Sequence, residues 1–328
     1  MTRRKPTALY RPFLREAWRL TWERKSLWVF GLFAALISTG GVLDVLLGSL
    51  KKVEHSGALL TNLLDRSFPG YELASTYIQQ IQILGPSRMM GLVTVATLLG
   101  VILMIVATLS QGALILGLRA KKPEDPIALK RASGKHFWPL LVLAILNKLM
   151  VLVLMMLLTL PLFFFYTTFT SVSVVLFFLI TLIVIPALTA VNIVYLFALI
   201  DVVHGDRHPL DAIAIGWNLF KRHWLATLEY GLVLFLLVFA ASLLLIGALL
   251  LLTVPYAIIF TTTLLTGSMT FFLIANVLFG LLVIVGLLAF GGACVTFQYS
   301  AWIQFYARGL HKTHGKKIFS KILRFARD

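Results

Sequence analysis

Six stretches of this chain are continuously apolar: residues 27–50, 89–118, 137–166, 172–203, 224–254 and 267–307. Runs above about 18 nearly uncharged residues reach the length at which a helix, rising ~1.5 Å per residue, crosses ~30 Å of hydrocarbon. Strands of a membrane barrel would alternate apolar and polar residues. These runs do not alternate, so they read as helices. Composition agrees, since 59% of the 328 residues are hydrophobic, 13% are charged and the mean hydropathy is +0.94. A soluble domain carries roughly 25% charged and 45–50% apolar residues. No water-soluble core could bury this much apolar surface. The expected fold class is an all-α integral membrane protein with six transmembrane helices.

Positive charge orients the set. Eight Lys and Arg residues precede the first run, six lie between the second and third, three between the fourth and fifth, and seven follow the sixth. Those alternate connections hold 24 of the 29 basic residues, and the other connections hold only Lys51, Lys52, Arg66 and Arg88. Basic connections stay on the cytoplasmic side, so both termini are expected in the cytoplasm. A seventh crossing, made by breaking the last run at Gly291–Gly292, would export the basic tail, so 267–307 is expected as one helix. The formal charge of +16 does not point to nucleic acid. Its cations flank apolar runs instead of filling one polar domain, which is the pattern of contact with anionic phospholipids at the cytoplasmic face. The first run has a long basic lead and no small-residue cleavage site, so it reads as a retained span. In the outer segment 51–88, "LASTYIQQIQIL" (73–84) is expected to form a short amphipathic helix at the surface. The one cysteine, Cys294, can form no disulfide within the chain.

A small signature recurs where the chain becomes apolar. "GKHFW" (134–138) and "FKRHW" (220–224) each join a basic residue, a histidine and a tryptophan at the head of a run. In "PLDAIAIGWNLFKRHW", Leu210, Ile213, Trp217, Phe220 and Trp224 recur at helical steps, and Pro209 suits a first turn. Near the N-terminus, Leu14, Trp18 and Trp22 form one stripe while Arg11, Arg15 and Arg19 form another. This is the pattern of a helix lying in the interface, with aromatics at headgroup depth and cations toward anionic lipid. The chain is therefore expected to be one polytopic domain, 1–328, of three units. Each unit is a basic, aromatic interfacial helix followed by a two-helix hairpin: 1–118 (with the outer loop 51–88), 119–203 and 204–307, with a basic amphipathic tail at 308–328. Trp18, Trp22, Trp28, Trp138, Trp217 and Trp224 are the expected interfacial anchors. In the middle unit, Ser133 and Gly134 are expected to interrupt the interfacial helix. Shared membrane-insertion chemistry without common descent would produce the same likeness.

The stretch "ALIDVVHGDRHPLDAIAIGWNLFKRHWLATLEYGLVLFLL" (198–237) has a short polar loop, a helix bearing Ala and Trp, and a basic-His-Trp approach to the next span. In these features it resembles the multipass membrane domain joined to some bacterial glycerophosphodiester phosphodiesterases, and that domain's stand-alone relatives. The hairpin architecture is similar over most of the chain. No polar stretch is long enough to hold the soluble phosphodiesterase domain, so the resemblance carries over no catalytic residues. It implies a bacterial cytoplasmic membrane and an association with lipid metabolism.

Few residues offer chemistry. His204 and His208 are the candidate metal ligands, spaced four apart as a helix would need. Gly205 between them and Pro209 after them favour a turning loop that caps the next helix. Lys148 follows Asn147 inside the third run, where a lysine costs ~2.5 kcal/mol or more at mid-membrane. It could pair with Asp201 or Glu229 and pin helices together, snorkel to the headgroups, or serve transport or proton relay. Asn192, Asn276 and Gln298 read as hydrogen-bonding glue between helices. Pro161, Pro186 and Pro255 are expected to kink or end theirs. No Gly-x-Ser-x-Gly with suitable partners, His-Glu-x-x-His or phosphate-cradling glycine loop is present. The expectation is thus a non-enzymatic multipass protein with no cofactor. It would organise lipids or scaffold an unidentified membrane protein at the bacterial cytoplasmic membrane. The alternative is a small-solute carrier or lipid flippase with a path near Lys148, Asp201 and Glu229.

Overall fold

The computed structural model describes residues 10–35, 86–120, 125–168, 171–267 and 269–310. These residues form α1 (Arg11–Glu23), α2 (Leu27–Ala35), α3 (Pro86–Arg119), α4 (Pro126–Gly134), α5 (Phe137–Thr168), α6 (Ser171–Gly205), α7 (Pro209–Thr266) and α8 (Met269–Gln304). A π-helical turn, Phe305–Leu310, follows α8. No strand occurs among the described residues. Five helices, α3 and α5 to α8, are long and apolar enough to cross a membrane, with mean hydropathies of 2.4 to 3.0. The chain is an integral membrane protein. Of the first apolar run only α2 is described; the rest of it, the 73–84 stretch and the tail beyond residue 310 lie outside the described residues.

Neighbours in sequence are neighbours in space. α2 packs on α3, α3 on α5, α5 on α6, α6 on α7 and α7 on α8, and α8 closes the ring by packing along α2. The closure is tight because both helices present glycine where they cross. A Cβ on Gly292 would lie 2.4 Å from the Trp28 carbonyl oxygen, and one on Gly31 would lie 2.6 Å from the Gly292 carbonyl oxygen. Small residues let two backbones approach this closely. Thr296 uses the proximity, placing its hydroxyl 3.4 Å from the Leu27 carbonyl. Gly291–Gly292 therefore marks a contact and α8 runs unbroken through it.

Each short helix meets its span at a break. The chain turns at Arg24–Ser26 between α1 and α2, and at Lys135–His136 between α4 and α5. Within α7 it leaves helical geometry at His223 (φ −130°, ψ 28°). Both histidines of the recurring signature thus sit at the bend. The middle helix departs from expectation, since Ser133 and Gly134 do not interrupt α4. Pro126 occupies its first turn and Asp125 caps it, accepting the Ile127 N–H at 3.4 Å. Ser133, which could compete for its own backbone, is fully buried and donates to the Leu109 carbonyl of α3 at 2.8 Å. None of the three prolines ends its helix: α5, α6 and α7 continue through Pro161, Pro186 and Pro255. Membrane helices tolerate proline because the freed backbone groups can be satisfied locally.

The core occupies one end of this ring. Its large buried side chains include Leu27, Leu114, Leu140, Phe197, Tyr230 and Phe305, on six different segments. We call this the basic end, since it carries α1, α4, the α6–α7 loop and the chain leaving α8. Toward the opposite, distal end, α3, α5, α6, α7 and α8 expose leucine, valine and phenylalanine over long stretches.

Candidate polar site at the basic end

Asp201 lies near the end of α6 with a side chain only 3% exposed. Its Oδ1 accepts the Tyr306 hydroxyl at 2.9 Å, and its Oδ2 accepts Arg207 Nη1 at 3.3 Å. Arg207 reaches back because Asp206 takes a left-handed backbone (φ 48°), a conformation Asp tolerates better than most residues, and reverses the loop. Asp206 in turn meets His136 Nε2 at 2.5 Å, tying this loop to the bend between α4 and α5. Glu229, six residues past the break in α7, accepts the Tyr10 hydroxyl at 2.9 Å. Burial, and then Glu229, push the Tyr10 phenol pKa above its ordinary value.

The two carboxylates flank one aromatic cluster. Tyr230 stacks on Phe305 at 4.4 Å, Tyr10 lies 5.4 Å from Tyr230, and Tyr306 lies 5.7 Å from Phe197. On the other side of the ring, Arg24 turns inward and is almost fully buried. Its guanidinium donates to the carbonyls of Gly117 and, at 2.6 Å, Ala120. Gly117 is in the last turn of α3 and Ala120 follows its end, where carbonyls lack intrahelical partners. An arginine whose place in a basic segment read as a topology signal is therefore a helix cap.

A second polar tier lies about 9 Å further along α3, at ~1.5 Å per residue from Gly117. Tyr195 donates to Gln111 Oε1 at 3.1 Å, and Gln111 Nε2 donates to Tyr299 at 3.2 Å. One residue comes from each of α3, α6 and α8, so one amide joins three helices. Sequence reasoning passed over this trio. Gln111 is the one amide in its apolar run and was not singled out, and nothing in the residues around Tyr195 and Tyr299 shows that their hydroxyls converge on it. Tyr10 and Tyr306 were missed because the carboxylates they meet lie 219 and 105 residues away in sequence.

The remaining expected residues are dispersed. Lys148 is exposed on α5. Its neighbour Asn147 is buried, with no hydrogen-bond partner for Oδ1 among the described residues. Asn192 donates to the Leu188 carbonyl of its own helix at 3.0 Å. Asn276 accepts the Tyr256 hydroxyl at 2.7 Å and so bonds α7 to α8 toward the distal end. His204 and His208 are both exposed, on either side of the end of α6. Among the described residues no three His, Cys, Asp or Glu side chains gather as a metal site would require. Trp18, Trp22, Trp138, Trp217 and Trp224 are exposed, while Trp28 is half-buried and donates its indole N–H to the Thr21 carbonyl at 2.9 Å. The arrangement can clamp helices together. Its carboxylates are engaged by phenols and a guanidinium. No protein-family model, curated protein or solved structure matches the chain.

Proposed function

We propose that this chain is a non-enzymatic multipass protein of the bacterial cytoplasmic membrane that organises lipids or scaffolds a partner protein. In this reading six spans form three hairpins, both termini face the cytoplasm, and the basic end lies at the cytoplasmic leaflet. The observation that carries it is the state of the intramembrane charges. Asp201 is held by Tyr306 and Arg207, and Glu229 by Tyr10, within packed helix contacts. Charges committed to structural bonds favour a platform over a moving path. Exposed tryptophans and basic residues on α1, α4 and the first turns of α7 supply the surface that anionic headgroups would meet. The resemblance of residues 198–237 adds the bacterial setting and the link to lipid metabolism.

The test is purification in native membrane followed by mass spectrometry of what remains bound. Selective retention of one phospholipid class, or of a stoichiometric protein, sustains the proposal. A Lys148→Ala variant that keeps its stability but abolishes uptake of a solute overturns it. A second reading, a small-solute carrier or lipid flippase with a path near Lys148, Asp201 and Glu229, draws on one observation. The Oδ1 of buried Asn147, beside Lys148, is left without a partner among the described residues, and a polar substrate or water could supply one.

A further inference from the structure

Two lysines at the basic end sit over indole rings. Lys25 Nζ lies 5.8 Å from the centre of Trp22, and Lys221 Nζ lies 5.4 Å from that of Trp217. The two pairs occupy equivalent places. Lys25 is in the turn that joins α1 to α2, and Lys221 stands two residues before the break in α7 at His223. Each is where a short amphipathic helix bends toward its apolar run, which in the lipid-organising reading is where the lipid phosphate would lie.

In both places the ring is itself held. Trp22 is wedged edge-on between Trp18 at 5.6 Å and Trp28 at 5.3 Å, and Trp217 stacks on Phe220 at 6.1 Å. A fixed ring restricts the ammonium above it, which a lysine on an open helix face would not be. Less ordering is then lost when an anion binds. Two of the charges nearest Lys25 are committed elsewhere: Arg19 bonds Glu16 at 2.7 Å and lies 3.6 Å from Glu23, while Arg24, in the turn after α1, caps α3. Lys25 and Lys221 are exposed, and their rings are almost half exposed at 45% and 44%. An indole offers an apolar body to acyl chains and a polar edge to the interface. In the middle unit Lys135 matches Lys221, but Arg131 and Ala132 stand four and three residues before it, so no tryptophan occupies the equivalent place.

We propose that Lys25 with Trp22, and Lys221 with Trp217, form two sites that each bind the phosphate of one anionic phospholipid headgroup, the middle unit having none. The proposal rests on the lipid-organising reading above and names its ligand and stoichiometry. The ammonium donates to the phosphate oxygens, and the indole lies against the glycerol backbone below.

The test is native mass spectrometry of the full chain in detergent, titrated with phosphatidylglycerol and, separately, with phosphatidylcholine. Two phosphatidylglycerol molecules are expected to persist under activation that strips phosphatidylcholine. Lys25→Gln and Lys221→Gln should each remove one and weaken the remaining binding at that site by about fivefold. Trp22→Leu and Trp217→Leu should do the same, while Lys130→Gln, exposed on α4, should change nothing. If Lys130→Gln costs as much as the other two, binding is diffuse charge and the proposal fails. It fails also if the double variant Lys25→Gln/Lys221→Gln keeps both lipids, though the lipid-organising reading then survives. A native chain that retains no phosphatidylglycerol overturns the sites and the lipid reading together. Displacement of the lipid by millimolar inorganic phosphate would replace the headgroup sites with a free-anion site.

Discussion

On α3, residues 107–118 are all buried or half-buried, whereas the described side chains between 90 and 103 are all exposed. The same contrast runs through α8, closely packed from Gly291 to Tyr306 and largely exposed from Met269 to Leu288. The sequence is apolar in both regions, so hydrophobicity does not separate them. Lipid is as apolar as leucine, so apolar faces gain little by leaving it for one another. What distinguishes the basic end is demand. It holds helix ends with unpaired carbonyls, two carboxylates and glycines that permit backbone contact. Each of these is satisfied by one geometry and left costly by others. The distal end makes few such demands, and the Tyr256–Asn276 bond is one of its few polar contacts between helices.

Substitutions along single helices can break this contrast. The largest effect is expected at the α2–α8 crossing. Gly292→Leu drives side-chain atoms into the Trp28 backbone and should cost about 3 kcal/mol or more, enough to lose monodisperse protein on gel filtration. Gly286→Leu, one helix turn and a half toward the distal end, meets nothing within 4 Å and should elute as the native protein does. Equal behaviour of the two would remove the distinction between the ends. Next comes Arg24→Met, which strips the α3 carbonyls of a charged donor. A loss of about 2–3 kcal/mol is expected, read as a lowered midpoint of thermal unfolding in detergent. The smallest pair compares polar bonds at the two ends. Tyr195→Phe leaves the Gln111 carbonyl unpaired in a packed site and should cost about 1 kcal/mol or more. Asn276→Leu should cost about 0.6 kcal/mol, the usual size of a hydrogen bond between membrane helices. A larger loss at Asn276 would show that the distal end is specified more tightly than its exposure implies.

The all-helical membrane class could be read from six apolar runs, and the bends from the two basic-His-Trp signatures. Both rest on local properties that a window of residues carries. The departures have a common physical cause, which is that tertiary partners override local preference. Ser133 is poor in a helix only while its hydroxyl competes for its own backbone, and Leu109 removes that competition. Pro255 removes a backbone donor, yet α7 does not end there. At the site, Asp201 and Glu229 announced themselves as charges beside apolar runs. The phenols that bind them did not, because nothing in the residues around Tyr10 or Tyr306 shows which neighbour the hydroxyl will find. Arg24 was visible as one cation among many in a basic segment, and nothing local marks it as the one that turns inward.

The ring closes between its first and last members, and that fixes an order of events at the ribosome. Thr296 meets Leu27 across 269 residues of chain. At roughly 5–20 residues per second, synthesis of that interval takes about 13–54 s. Through that time the glycine face of α2 lacks the groove it fits, and α1 lacks the helix it lies against. A nascent chain stalled before Gly291 should therefore hold its N-terminal segment loosely, open to proteases or chaperones, until the final helix is laid down beside it.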